Sequence, residues 1–355
     1  MKKAFAFGLA VILAAGMCAC GRNSGNTGTA AANDKALETQ AAESETAAAE
    51  VVTLKIGHVE AEDRSTHQAL VQYFQKAVEE KTNGAVKVEI HPNGALGGDT
   101  ELTESVAMGT LDAALPSTSV LVTYSPDFGI MDMPWLFNNS ENAFAAMDGD
   151  MGDYFNQKLS NVGIHCLGYS YNGLRSMTNS ARPLEKPEDL KGLKMRVMEN
   201  QVYIDFFNML GASATPMSFN ELFTGLQQHT VDGQENPPSL IYASKFQEVQ
   251  SYLSLTEHTH NFLAFIMNRN FFEKLTPEQQ MIVSEAAAEF VKQQRAMELE
   301  DTQKYVDKLA EDGMTVNTLS EEQKQVFKAA LKPMYEKYRG EFGEELFGMA
   351  EKYNP

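Results

Sequence analysis

Cysteine, tryptophan and positive charge are all scarce in this chain. Of its three cysteines in 355 residues, two lie within the first twenty positions. Cys166 is therefore alone in the body of the chain, and an intramolecular disulfide framework is excluded. Within the apolar run Val162–Tyr169 it reads as a small buried hydrophobe rather than a nucleophile. Lys and Arg total 29 against 48 Asp and Glu, for a formal net charge of −19. With no basic block interrupting that balance, a nucleic-acid-binding surface is excluded. An anionic small ligand is not, because local arginines outweigh acidic surface beyond a screening length of roughly 8–10 Å.

Motifs for chemistry are missing too. There is no Gly-Xaa-Gly-Xaa-Xaa-Gly after a strand, no phosphate-binding loop, no Gly-Xaa-Ser-Xaa-Gly elbow and no His-Glu-Xaa-Xaa-His helix, and no cofactor is implied. Glu60, Glu62 and Asp63 form an acidic loop that fits ligand hydrogen bonding or helix capping better than acid/base catalysis. His258 and His260, two apart, would share a strand face and could hold a metal with Glu257, but no third ligand follows at metal-site spacing. No catalytic set emerges, and an enzyme is disfavoured.

The longest apolar run near the start, Ala4–Met17, is too short to span a bilayer as a helix. Preceded by Lys2-Lys3 and followed by Met17-Cys18-Ala19-Cys20-Gly21, it has the layout of a secretory signal over 1–19. Ala19 before Cys20 makes Cys20 the expected lipidated residue, with Cys18 as the second choice. The segment 20–50 holds almost no bulky apolar residue and reads as a tether, with an r.m.s. reach of ~30 Å if it behaves as a flexible coil.

From Val52 onward strand and helix patterns alternate, as in a sheet covered by helices. Val52–His58 reads as a strand, Ser65 as the cap of a helix ending at Asn83-Gly84, and Val86, Val88 and Ile90 as the next strand. Asp99–Met108 reads as a helix, Ser140–Leu159 as one helix, and Val162–Tyr169 as a strand. Gln201–Leu210 is helical, and Ser218-Phe219-Asn220-Glu221 has the spacing of a capping box. Tyr252–Thr256 and Phe262–Met267 read as two strands. Thr276-Pro277-Glu278-Gln279 opens a helix that continues to about Glu311, long enough to span two lobes.

Two arginines stand at strand ends. In Lys191–Asn200, Leu193, Met195 and Val197 alternate with Lys194 and Arg196, the period of a strand with one buried face. Arg196 then falls at the carboxyl end of that strand, where open α/β sheets collect ligands, and a guanidinium matches a carboxylate in two parallel hydrogen bonds. Arg175, after Tyr171-Asn172-Gly173-Leu174, lies just past another strand end. Asn236 ends the short extended run Val231–Asn236, where its amide would either donate to a ligand or cap the next helix. Trp135 would either wall a pocket or fill a core.

Several segments together resemble the extracytoplasmic solute-binding subunits of TRAP transporters: Leu54-Lys55-Ile56-Gly57, Pro92-Asn93-Gly94-Ala95-Leu96-Gly97, Gly109-Thr110-Leu111-Asp112, Lys191–Val197, Thr215-Pro216-Met217 and Val231-Asp232-Gly233-Gln234-Glu235-Asn236-Pro237. The resemblance implies a two-lobed α/β periplasmic-binding-protein-like fold, each lobe a sheet flanked by helices, with crossing strands and a long lobe-spanning helix. It implies lobe I as 51–172 plus 262–301 and lobe II as 173–261 plus 302–355, closing on one organic acid that is passed to membrane permease subunits. It assigns the carboxylate anchor to Arg196, with Arg175, Asn236 and Phe219 in the same pocket and Asn172, Glu60 and His58 as further candidates. Sialate-binding members carry an acidic residue where this chain has Leu115-Pro116-Ser117-Thr118-Ser119, which argues against sialate. The polar groups of His58, Glu60 and Asp63 favour a sugar acid, a uronate or aldonate, over a plain C4-dicarboxylate. An ABC-type binding lipoprotein and a secreted enzyme acting on acidic sugars are the alternatives.

Overall fold

The computed structural model describes residues 51–354; the expected signal segment, Cys20 and the tether lie outside them. Nine strands form one sheet: β1 (Val52–Gly57), β2 (Val86–His91), β3 (Ala113–Ala114), β4 (Ile164–Asn179), β5 (Lys194–Val197), β6 (Ser213–Pro216), β7 (Gly233–Asn236), β8 (Tyr252–Asn268) and β9 (Thr315–Thr318). Their order is β2-β1-β3-β8-β4-β7-β5-β6, with β9 on β8. Two three-stranded parallel groups, β2-β1-β3 and β7-β5-β6, occupy the two ends. Antiparallel β4 and β8 join them, each pairing with one group through its carboxyl-terminal part. Chain connectivity thus crosses from one end of the sheet to the other along these two long strands.

Here the structure departs from the sequence reading. The expected strand Val162–Tyr169 continues to Asn179, so Arg175 lies inside β4 rather than past a strand end. The two strands expected at 252–256 and 262–267 are one. Between them His258, Thr259, His260 and Asn261 are polar yet buried. A strand covered on both faces shows no polar–apolar alternation, so periodicity alone breaks it in two. The β4–β8 ladder is irregular at three places, between Cys166 and Gly168, Tyr171 and Gly173, and Arg175 and Met177.

The helices are closer to expectation. Pro277–Glu311 is a single 35-residue helix whose capping box is formed by Thr276 and Gln279. It lies against segment 70–75, β4 and helix Pro238–Ala243, elements fed from both ends of the sheet. Ser140–Leu159 divides at Asp148-Gly149 into Ser140–Met147 and Asp150–Ser160. Ser65 and Ser218 do not cap their helices with their side chains. The Ser65 hydroxyl instead donates to Glu298 at 2.6 Å.

Three apolar clusters form the core. One packs β1 and β2 against 69–78 and 283–291 through Phe74, Phe265 and Phe290. A small one gathers around Leu226, Phe246 and Leu253. The largest runs from Leu102 and Phe128 through Met195 and Phe206 to Tyr338 and Phe347. Burial of this extent is the dominant stabilising contribution to a domain.

Candidate functional site

Within β4 and at the carboxyl ends of β5 and β7, side chains from both parallel groups meet around one cavity. Arg175, Arg196, Asn236, Phe219, Glu60 and Asn172 all line it, so six of the seven residues singled out from the sequence come together there. His58 does not. It is buried behind the loop, with Nε2 3.1 Å from His67 Nδ1, and burial next to His67 holds its pKa down at about 3. Glu62 and Asp63 are exposed away from the cavity, and Trp135 walls a different cleft with Lys328.

The two arginines are in opposite electrostatic situations. Arg175 is 1% exposed and grips Glu235, with Nη2 donating to Oε1 at 2.8 Å and to the Glu235 carbonyl at 2.6 Å, while Nε donates to Oε2. Its Nη1 reaches Asn261 Oδ1 at 3.3 Å. Burial alone would raise the Glu235 carboxyl, but Arg175 and His258, whose Nε2 is 3.2 Å away, hold it below its usual value. Burial lowers the His258 pKa, against the opposing pull of Glu235. Arg196 is 2% exposed, and its Nε donates to the Met217 carbonyl at 2.9 Å. Among the described residues it has no ion-pair partner. Burial, reinforced by the nearby Arg175, brings its pKa down to about 10, partly countered by Glu235. It remains a cation at neutral pH, and a buried cation without a counter-ion is costly.

The remaining lining residues are held by a second network. Arg64, 1% exposed, donates to Glu60 Oε2 at 2.7 Å and to Asn172 Oδ1 at 2.8 Å, and lies 3.6 Å from Glu298 of the long helix. Asn172 in turn donates to Asn261 Oδ1 at 2.9 Å, so its amide is taken up by the framework and positions rather than reaches. Asn236 donates to Gln234 Oε1 at 2.6 Å, which leaves its second N–H. Phe219, the first residue of helix Phe219–Gln227, supplies an apolar wall.

Loop Pro92–Gly98 lies against the start of helix Phe219–Gln227 across the mouth of the cavity. A Cβ on Gly94, whose φ is +63°, would fall 2.5 Å from Asn220 Oδ1, and one on Gly98 would fall 2.6 Å from Ser218 Oγ. Thr100 Oγ1 donates to Glu199 Oε2 at 2.8 Å over the same gap. Two glycines here let backbone from one group approach side chains of the other.

Asp99, Thr100, Ser117, Glu199 and Ser218 line the cavity without having been singled out as contacts. Ser117 lies in the stretch already noted against sialate; Asp99 carried no signal beyond an ordinary acidic residue in a first helical turn. Glu235 and Arg64, which organise the site, were missed because Glu235 meets Arg175 across 60 positions and Arg64, besides nearby Glu60, meets Asn172 across 108. His258 and His260 do not converge: the first faces Glu235, and His260 Nδ1 is 2.8 Å from Tyr171 Oη. Among the described residues no group of three or more metal-ligating side chains occurs. Cys166 is half-buried and free, its thiol pushed up to about 11 by burial.

A shielded cavity with one uncompensated guanidinium, framed by hydrogen-bonding groups between two halves of a sheet, is a receptor for a small organic anion. The family model for DctP, bacterial extracellular solute-binding protein family 7, matches residues 56–341, and the chain belongs to that family, the solute-binding subunits of TRAP transporters. It is 35% identical over 266 residues to the 2,3-diketo-L-gulonate-binding periplasmic protein YiaO of Escherichia coli strain K12, covering 75% of this chain and 81% of that one. A TRAP periplasmic solute-binding protein of Polaromonas sp. JS666, solved bound to D-erythronate, superposes with a TM-score of 0.81 at 37% identity, covering 84% of this chain and 98% of that one. Another, from Sulfurospirillum deleyianum DSM 6946 with bound succinate, gives 0.81 at 30% identity over 85% and 99%. The protein is extracytoplasmic.

Proposed function

We propose that this protein captures one organic acid, a sugar acid or a C4-dicarboxylate, by closing around its carboxylate and delivers it to the membrane permease subunits. The observation that carries this reading is Arg196, a buried guanidinium with no ion pair among the described residues, which lines a cavity with Asn236 and Phe219. A ligand carboxylate accepting from Arg196, with Arg175 Nη1 and Asn236 beside it, supplies the missing counter-charge. Lobe I is 51–172 plus 262–301 and lobe II 173–261 plus 302–355, with β4 and β8 as the hinge. A ligand touching both lobes binds the closed arrangement better and shifts the population toward it. Cys20 carries the lipid after removal of 1–19, and the tether leaves the folded body near the membrane surface. The cavity is for capture, not turnover: the protein catalyses no reaction on what it binds.

Calorimetry on the wild type and Arg196→Met tests the core of this. Removing one side of a desolvated charge-assisted pair typically costs ~2–5 kcal/mol, so affinity for the acid should fall by at least thirtyfold. Near-normal affinity in the variant, or conversion of the bound acid to a product by the wild type, would sink it.

A further inference from the structure

The charges around the cavity are unevenly distributed. Three carboxylates line it, Glu60, Asp99 and Glu199, against two guanidiniums, and one of those guanidiniums is already neutralised by Glu235. Glu60 holds Arg64, but Arg64 also faces Glu298, so no positive charge is left over behind that wall. Asp99 is the first residue of helix Asp99–Met108. Its Oδ1 is shut off from solvent and has no hydrogen-bond partner, although a buried carboxylate oxygen is an acceptor that ordinarily finds a donor.

We infer that Asp99 and Glu60 make this cavity selective for one-ended acids, in which a single carboxylate meets Arg196 and the rest of the molecule presents hydroxyl donors to the two carboxylates. The inference rests on the organic-acid reading above and names the class within it: polyhydroxy monocarboxylates, with dicarboxylates rejected. The physical reason is a charge count. One anionic group entering the cavity meets the one lining guanidinium that has no ion pair among the described residues. A second would face Asp99 and Glu60 with no cation to meet it and would enter only with a proton taken up on one of these carboxyls, and an unpaired buried charge is far costlier than an unpaired hydroxyl. A hydroxyl, by contrast, donates to the orphaned Asp99 oxygen and removes an existing unsatisfied acceptor. A pocket built to pair a substrate hydroxyl also rejects analogues lacking it more strongly than an apolar pocket would.

The test uses acids of equal carbon number that differ at one end: D-erythronate against tartrate, and D-gluconate against D-glucarate. Binding by calorimetry to the wild type should favour the monocarboxylate of each pair at least tenfold. In Asp99→Asn the monocarboxylate should weaken several-fold, the dicarboxylate should tighten, and the ratio should narrow at least tenfold. Asp99→Ser, which removes the charge at smaller size, should narrow it in the same direction and guards against a variant that fails to fold. A dicarboxylate bound as tightly as its partner by the wild type, or a ratio unmoved in the folded variants, overturns the inference while leaving the organic-acid reading intact. If neither acid of either pair binds and a wider panel of organic acids also gives no thermal shift, the organic-acid reading itself fails.

Discussion

The crossing of β4 and β8 and the rim at the end of β5 each bury an arginine, and the two arginines do different work. At the crossing, Arg175 is locked by Glu235, with His258 and Asn261 completing the set. At the rim, Arg196 has one bond to a backbone carbonyl and no carboxylate. A saturated ion pair contributes to the framework and is expensive to break from one side; an unsaturated one is a cost that only a ligand offsets. The difference teaches that burial and residue type do not mark a binding group. What separates the two arginines is the hydrogen-bonding capacity left over once the protein's own partners are counted.

The sharpest way to break this comparison is to remove each arginine from the unliganded protein. Arg175→Met leaves Glu235 buried without its guanidinium and should cost ~3–5 kcal/mol of stability, read by urea unfolding. Arg196→Met removes a buried cation with no ion-pair partner among the described residues and should leave unliganded stability unchanged or raise it. Equal losses in the two variants would contradict the contrast.

A smaller effect is expected at Gly173, in the irregular part of β4. Its φ is +124°, and a Cβ there would fall 2.6 Å from Pro237 Cβ. Gly173→Ala should cost ~1–3 kcal/mol through backbone strain and crowding at the crossing. The matching change at Gly192, which has φ +81° but open space around it, should cost less. A larger loss at Gly192 would mean that strain alone, not the close approach to Pro237, limits the crossing.

The smallest predicted effect concerns pH. Burial and the neighbouring Glu60 push Asp99 up to about 7, against the pull of Arg196 and Arg175. Burial likewise pushes Asp132 up to about 7, although Ser119 Oγ at 2.6 Å and Asn200 Nδ2 at 2.7 Å donate to it. For a carboxyl raised in the folded state, the native protein binds more protons than the unfolded one between the two pKa values. That contribution is complete in acid, below the unfolded value, and is lost as pH climbs through about 7. Unliganded stability should therefore fall by roughly 1.4 kcal/mol per group between pH 6 and pH 8, where that loss is completed. Asp99→Asn should remove about half of the slope. His58, held down at about 3, acts oppositely but below its unfolded pKa of roughly 6.5, and so governs the acid limb instead. A slope unchanged in Asp99→Asn would show that Asp99 does not titrate in this range.

Much of this was legible along the chain, for reasons that are local. The alternation in Lys191–Val197 locates β5 and puts Arg196 near its end, because a half-buried strand has period two. Thr276 and Gln279 announce the long helix, because a capping box is made within four residues. The Asp-Gly-Gln-Glu-Asn-Pro run and its companions point to the family, since each is a short contiguous motif. These features are determined by the sequence alone because neighbours in the chain settle them. Tertiary structure decided the rest. It joined two apparent strands into β8, since helices and sheet cover both faces of its polar middle. It paired Arg175 with a residue 60 positions away and left Arg196 with no ion-pair partner among the described residues. It turned His58 away from the cavity and brought Asp99 into it. Each of these depends on which charges remain uncompensated after folding, and that sum is taken over space rather than along the chain.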